Sequence, residues 1–114
     1  MANDMLPIDS KINCIYYIDV NYIHFIWDEV KSKRNKRIHG VSFEEARSVF
    51  FDENARLVHD PDHSVQEDRF IILGVSLKLR LLLVCHCYRE SEEQIRIISA
   101  RKANSKEIDQ YRRQ

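Results

Sequence analysis

The feature that most constrains this chain is Ile95-Arg96-Ile97-Ile98-Ser99-Ala100-Arg101-Lys102-Ala103, followed by the polar run from Asn104 to Arg113. Ile95, Ile97 and Ser99 alternate with Arg96, Ile98 and Ala100, the two-residue period of a β-strand. Asn104 or Ser105 then supplies a short side-chain oxygen that can take a free N–H of a first helical turn. The stretch therefore predicts a strand running into a helix, with Arg101 and Lys102 at the junction. Cationic side chains beside a helix N-terminus suit an anion such as phosphate. A surface corner with solvated charges is the alternative.

Upstream elements follow from the same rules. Ile12 to Ile18 has strand-forming residues without clean alternation and reads as an edge strand, a partner-binding arm or a translated leader. Tyr22 to Trp27 is a strand with Ile23, Phe25 and Trp27 on one side. Asp28 caps a helix through about Ile38, and His39-Gly40 ends it. Ser42-Phe43-Glu44-Glu45 has the form of a capping box that opens a second helix, with Ala46, Val49 and Phe50 as its buried stripe. Ala55 to Asp60, Arg69 to Gly74, Arg80 to Tyr88 and Ile95 to Ser99 read as strands joined by short loops, hence as antiparallel neighbours. The fold class is α+β: an antiparallel sheet of about four strands plus an N-terminal strand, two helices before it and one C-terminal helix, with the helices on one sheet face.

At 114 residues the chain is one domain, large enough to bury a core. Its formal net charge is zero, so attraction to nucleic acid must come from local patches. Five of the seven residues from Lys31 to Arg37 are cationic. Three cysteines (Cys14, Cys85 and Cys87) without an evident secretory leader fit a reducing compartment, and the expected location is the cytoplasm. Asp19, Asn21 and His24 interrupt the apolar stretch from 12 to 27, which is too short for a membrane span of roughly 18 apolar residues. No membrane partner is expected.

If residues 76 to 79 form the turn between the two long strands, Arg69 lies opposite His86, and if the next loop is centred near Ser91, His86 lies opposite Arg96. That register makes one row of Arg69, His86 and Arg96, with Phe70, Leu83, Cys85 and Ile97 on the other face against the helices. Cys85-His86-Cys87 puts two sulfurs on one strand face and the imidazole on the other, so the three cannot meet one ion. His59, Asp60, Asp62 and His63 could gather around a divalent cation. The expectation is no metal and no cofactor.

Trp27-Asp28, Lys31, Asn35, His39-Gly40-Val41-Ser42-Phe43-Glu44-Glu45-Ala46 and Val49-Phe50 recur in a known pattern. So do Asp62-His63-Ser64, Glu67, Arg69, Gly74, Ser76, Arg80, and Ile95 to Ala103 with Glu107 and Tyr111. Together they resemble the BrnT family over residues 25 to 113. The resemblance implies a RelE-like fold and the toxin half of a bacterial type II toxin–antitoxin pair. Such a toxin cuts RNA, blocks translation and is neutralised by a BrnA-type antitoxin, through which it would reach operator DNA only indirectly. It divides the chain into residues 1–24, outside the match, and a single toxin domain over 25–114. Two further departures stand out. Ile38 replaces the Lys that normally precedes His39-Gly40, and Leu79 replaces a hairpin Gly.

Metal-independent RNA cleavage uses the neighbouring 2′-OH as nucleophile. It needs a base, an acid for the leaving oxygen, and cations on the phosphate. Arg69, Arg80, Arg96 and Arg101 are candidates for phosphate, since a planar guanidinium can grip two oxygens. His63 and Glu67, in the segment that matches the family, are candidates for base and acid. Lys31 and Lys102 are candidates for the RNA backbone. His39 reads more simply as a cation at a helix C-terminus. Three function classes remain: an active metal-independent endoribonuclease, a degenerate toxin that binds antitoxin and helps regulate its operon, and a metal-dependent nuclease.

Overall fold

Asp28 and Gly40 bracket the first helix. The computed structural model describes residues 14–18, 23–59, 69–89 and 93–113, with only the backbone for 14–18 and His59. In it, strands β1 (Cys14–Ile18) and β2 (His24–Asp28) lead into α1 (Glu29–His39) and α2 (Phe43–Ser48). A 3-10 turn, Val49–Phe51, continues α2. Strands β3 (Arg56–His59), β4 (Arg69–Val75), β5 (Leu81–Arg89) and β6 (Gln94–Lys102) precede α3 (Ser105–Arg112). The Asp28 carboxylate accepts from the N–H groups of Val30 and Lys31 at 2.8 and 3.3 Å. Gly40 sits at φ 74°, left-handed, and its N–H donates to Lys36 O.

The six strands form one sheet in the order β1-β2-β6-β5-β4-β3. The expected antiparallel meander from β3 to β6 is present. β1 pairs antiparallel with β2, and β2 runs parallel to β6. That one parallel pair closes a long crossover, so the local alternation used to read hairpins carries no trace of it. Over one face lie α1 and α2, enclosing Phe25, Trp27, Val41, Phe43, Ala46, Val49, Leu82, Val84, Ile95 and Ile97. Trp27 meets Phe43 edge-on with ring centres 6.1 Å apart.

α1 contributes polar groups to this interface. Its buried residues are Ser32 and Asn35. The Asn35 carboxamide accepts from Ala100 N–H at 3.2 Å and donates to Ala100 O at 2.8 Å and to Val41 O at 2.9 Å. A side chain thereby satisfies the outward backbone groups of β6 in the way a neighbouring strand would. The paired register of β2 on β6 extends only from Gln94 to Arg96.

α3 lies on the opposite face, which corrects the expectation that all helices share one side. Arg56 opposes Leu73, Leu73 opposes Leu83, and Leu83 opposes Arg101, so all four share a face. Both ends of this row bond to α3. Arg56 Nη1 donates to Gln110 O at 2.9 Å, and Arg101 pairs with Glu107. The helix therefore crosses the sheet over Leu73 and Leu83. Tyr111 adds a hydrogen bond to Asp52 at 2.6 Å, which pushes its hydroxyl up to about 12. Asp52 also accepts from Val75 N–H, fastening the 3-10 turn to β4. Gly74 permits this contact, because a Cβ there would stand 3.0 Å from Val49 Cγ1 and Ala55 Cβ.

The strand register differs from the expected one by a residue. Ser76 and Leu79 close the β4–β5 turn through Leu79 N–H to Ser76 O at 2.8 Å, and Ser76 N–H donates to Arg80 O at 2.9 Å. Leu79 takes φ 63°. This left-handed residue adds one position to the turn, as in hairpins that end a tight turn with a bulge. Arg69 consequently opposes Cys87, not His86. A register shift follows between Cys85 and His86, and Arg96 also opposes Cys87. The row is Arg69–Cys87–Arg96, and His86 turns inward with Phe70 and Ile97. Leu83 and Cys85 lie on the α3 side, away from α1 and α2.

Two outcomes follow for stability. Asn35→Ala leaves two carbonyls and an N–H unsatisfied inside the protein and lowers unfolding free energy by about 3 kcal/mol in urea titration. Leu79→Gly relieves a left-handed leucine whose side chain is 85% exposed, and raises stability by about 1 kcal/mol in the same assay.

Candidate nucleic-acid interface

The predicted phosphate site at the start of α3 is filled from within. Asn104 Oδ1 accepts from Glu107 N–H at 2.8 Å, and Glu107 Oε1 accepts from Asn104 N–H at 2.9 Å, a reciprocal capping box. The same carboxylate takes both Nη1 and Nη2 of Arg101 at 2.9 Å. The Arg101 bond holds the Glu107 carboxyl below its usual range, against the opposing effect of burial. An internal anion thus stands where a phosphate was expected, and Arg101 anchors α3.

Arg80 is similarly committed. Glu45 is buried, 3% exposed, and accepts Arg80 Nε at 2.9 Å, Arg80 Nη2, and Ser76 Oγ at 2.7 Å. Burial would raise this carboxyl, but the hydrogen bonds from Arg80 and Ser76 and the charges of Arg80 and Lys78 hold it below the ordinary value. Ser42 accepts from Glu45 N–H at 3.1 Å, so half of the expected capping box forms. The Glu45 side chain does not reach back to Ser42, because Arg80 and Ser76 occupy it. Arg80 Nη2 also donates to Gly40 O at 3.0 Å.

Arg69 and Arg96 are different. They flank buried Cys87 in one cross-sheet row, and neither forms an ion pair with any described residue. Both are half-buried. Strand spacing puts their Cα atoms roughly 10 Å apart, close enough for two guanidiniums to meet one phosphate or two successive ones. α3 crosses the same face two rows away, and Ile71, Cys85 and Ser99 lie between. The interface is thus a strip of sheet walled by α3 on one side and headed by two arginines.

Sequence reasoning missed His24, which it treated only as an interruption of an apolar run. It opposes Gln94 on β6 and lies on the Arg96 face, one row further along. Its place depends on the parallel β2–β6 pairing, which leaves no local signal. Lys31 is exposed on α1. Lys102 opposes Leu82 at the end of β6, on the α1 and α2 side. His63 and Glu67, with Asp60 and Asp62, lie outside the described residues; Glu67 is two residues along the chain from Arg69. Cys85 and Cys87 fall on one strand face and His86 on the other, as expected. No group of three metal-ligating side chains occurs among the described residues. No described helix is long and apolar enough to cross a membrane.

His86 belongs to the core. Its ring lies 4.8 Å from Phe50, 5.3 Å from Tyr88 and 6.2 Å from Phe70, centre to centre. Nε2 has no hydrogen-bond partner, and Nδ1 is 3.3 Å from Val84 O. Burial pulls the imidazole down to about 4 despite that contact.

An α+β sheet with helices on both faces carries a row of two arginines across one face, beyond the part that α3 covers. Comparison with known proteins identifies the lineage. The family described as "Ribonuclease toxin, BrnT, of type II toxin-antitoxin system" matches residues 27–107, most of the chain, and the chain belongs to it. The 1.1 Å crystal structure of the Brucella abortus ribonuclease toxin, BrnT, shares the fold. Its TM-score is 0.53 at 23% identity, covering 69% of this chain and 94% of that one. No curated protein matches.

Stability should report the inward histidine. An unfolded imidazole protonates near 6.5 and the folded one near 4, so between these values the unfolded state binds the extra proton. Stability is full above pH 6.5 and falls by about 3 kcal/mol as pH drops to 4. His86→Phe removes that part of the slope in denaturant titrations across the range.

Proposed function

We propose that this ribonuclease toxin is a metal-independent endoribonuclease. In this reading RNA lies along the sheet strip beside α3 and Arg69 and Arg96 hold the phosphate being attacked. The observation that carries it is the arginine row without an ion pair among the described residues, in a molecule whose Arg80 and Arg101 are bound to carboxylates. A guanidinium without a carboxylate keeps its five donors for substrate oxygens. Charge grows on the non-bridging oxygens as the 2′-OH attacks, so donors fixed by strands lower the barrier without reorganising.

His63 and Glu67 are the acid–base pair of this proposal. They belong to the connection that enters β4 at Arg69. One takes the 2′-OH proton and the other returns a proton to the leaving 5′-oxygen. Arg101 acts through α3, which it holds as a wall of the strip, and Arg80 acts through the Glu45 network. Lys31 and Lys102 lie off the strip and attract RNA without contacting the reacting phosphate. The cell-level consequences are translation inhibition in the bacterial cytoplasm and neutralisation by a BrnA-type antitoxin, which carries the complex to operator DNA.

The test separates gripping arginines from anchoring ones. Purified chain is incubated with RNA in chelator, beside Arg69→Ala, Arg96→Ala and Arg80→Ala variants. Each of the first two lowers cleavage about a hundred-fold with the fold intact by circular dichroism. Arg80→Ala instead lowers thermal stability, because Glu45 loses its buried partner. No cleavage by folded wild type would overturn the enzyme reading and leave a toxin homologue that only binds antitoxin and regulates its operon. Cleavage abolished by chelator would point to a metal-dependent nuclease.

A further inference from the structure

Three large apolar side chains are displayed at the end of β4 away from Arg69. Leu77 is 72% exposed, Leu79 85% and Ile38 61%. Their common location follows from the hydrogen bonds at that end. Leu77 N–H donates to Ser48 Oγ at 2.9 Å, and Arg80 Nη2 donates to Gly40 O at 3.0 Å. The tip of the β4–β5 hairpin is thereby tied to the corner between α1 and α2, and Ile38 is two residues before Gly40. The support is rigid, since Ser76 Oγ accepts from Lys78 N–H at 3.2 Å while donating to buried Glu45.

At 85% exposure Leu79 buries little of its side chain. A left-handed position favours Gly, and an exposed aliphatic group gains nothing in water. A chain that places Leu there and another Leu two residues earlier, on a braced turn, carries a surface for something else to cover. Exposed cations accompany it: Lys78 in the tip and Arg34 and Arg37 on α1.

We propose that the Leu77–Leu79 tip and Ile38 form the docking surface for this chain's cognate antitoxin. The segment bound there would present apolar side chains flanked by carboxylates. The proposal rests on the toxin–antitoxin reading and adds where, and by what chemistry, the partner is held. A second copy of this chain fits poorly. Self-association would set Lys78 and Arg37 against like charges. RNA fits poorly as well, because aliphatic tips offer phosphate nothing. An acidic, apolar protein segment satisfies both the leucines and the cations.

The test compares wild type with the triple variant Ile38→Lys, Leu77→Ser, Leu79→Gly. Affinity for the purified antitoxin encoded in the same operon is measured by calorimetry, and RNA cleavage by the free chain is followed in parallel. The variant should bind antitoxin at least about thirty-fold more weakly while its cleavage rate and circular dichroism spectrum stay at wild-type values. Leu79→Gly alone should bind more weakly while melting no lower than wild type, which separates docking from folding. Wild-type affinity in the triple variant overturns the proposal. Loss of cleavage with unchanged antitoxin affinity also overturns it and assigns the tip to RNA. Weakened antitoxin binding in a chain that cuts no RNA would sustain the docking surface and overturn the nuclease reading instead.

Discussion

The grip of one buried carboxamide on β6 is the constraint from which the arrangement follows. β6 is an inner strand, yet its described pairing with β2 covers only its first three residues. Beyond them its outward N–H and C=O groups need partners, and a buried unsatisfied pair would cost several kcal/mol. Asn35 meets both groups of Ala100 and also Val41 O. This sets the depth of α1 on the sheet and the path of the corner into α2. It also explains an almost wholly polar helix in the core layer, since α1 is held by hydrogen bonds where most helices would use an apolar stripe.

With α1 and α2 so placed, charge is managed by pairing. Glu45 enters the core layer only because Arg80 and Ser76 meet it there, and Glu107 closes the start of α3 only because Arg101 shares its carboxylate. Each pair joins segments distant in the chain or folds back on a helix terminus. A buried ion pair is a weak source of net stability, yet it penalises any register that separates the partners. In this molecule the pairs lock the hairpin tip to the α1–α2 corner and α3 to the sheet.

Much of the fold was legible because its signals are local. Asp28, Gly40, Ser42 and Asn104 each mark a helix boundary through a short-range hydrogen bond, and strand alternation identified the long hairpins. What escaped was non-local. The parallel β2–β6 pair, the side of the sheet taken by α3 and the partners of Arg80 and Arg101 all join residues with no shared local pattern. The row predicted through His86 failed by one residue because Leu79 adopts a conformation normally given to Gly, and a one-residue slip exchanges the faces of a strand. Arg69 and Arg96 still share a row, since the slip changed which β5 residue lies between them and left both on one face.

Where most demands are met internally, the unmet ones separate sharply. One is electrostatic: two half-buried arginines in one row of the sheet without carboxylate partners among the described residues. The other is apolar: leucines on a braced turn, one of them in a left-handed conformation. These features lie at opposite ends of β4, roughly 20 Å apart by strand rise. Their chemistries are also opposite, since phosphate suits the first and only a protein surface suits the second. A chain that must hold RNA and be held by an antitoxin requires two such surfaces. On the proposed reading, their separation along one strand lets residues such as Ile38 and Leu79 change at the tip without disturbing the arginine row.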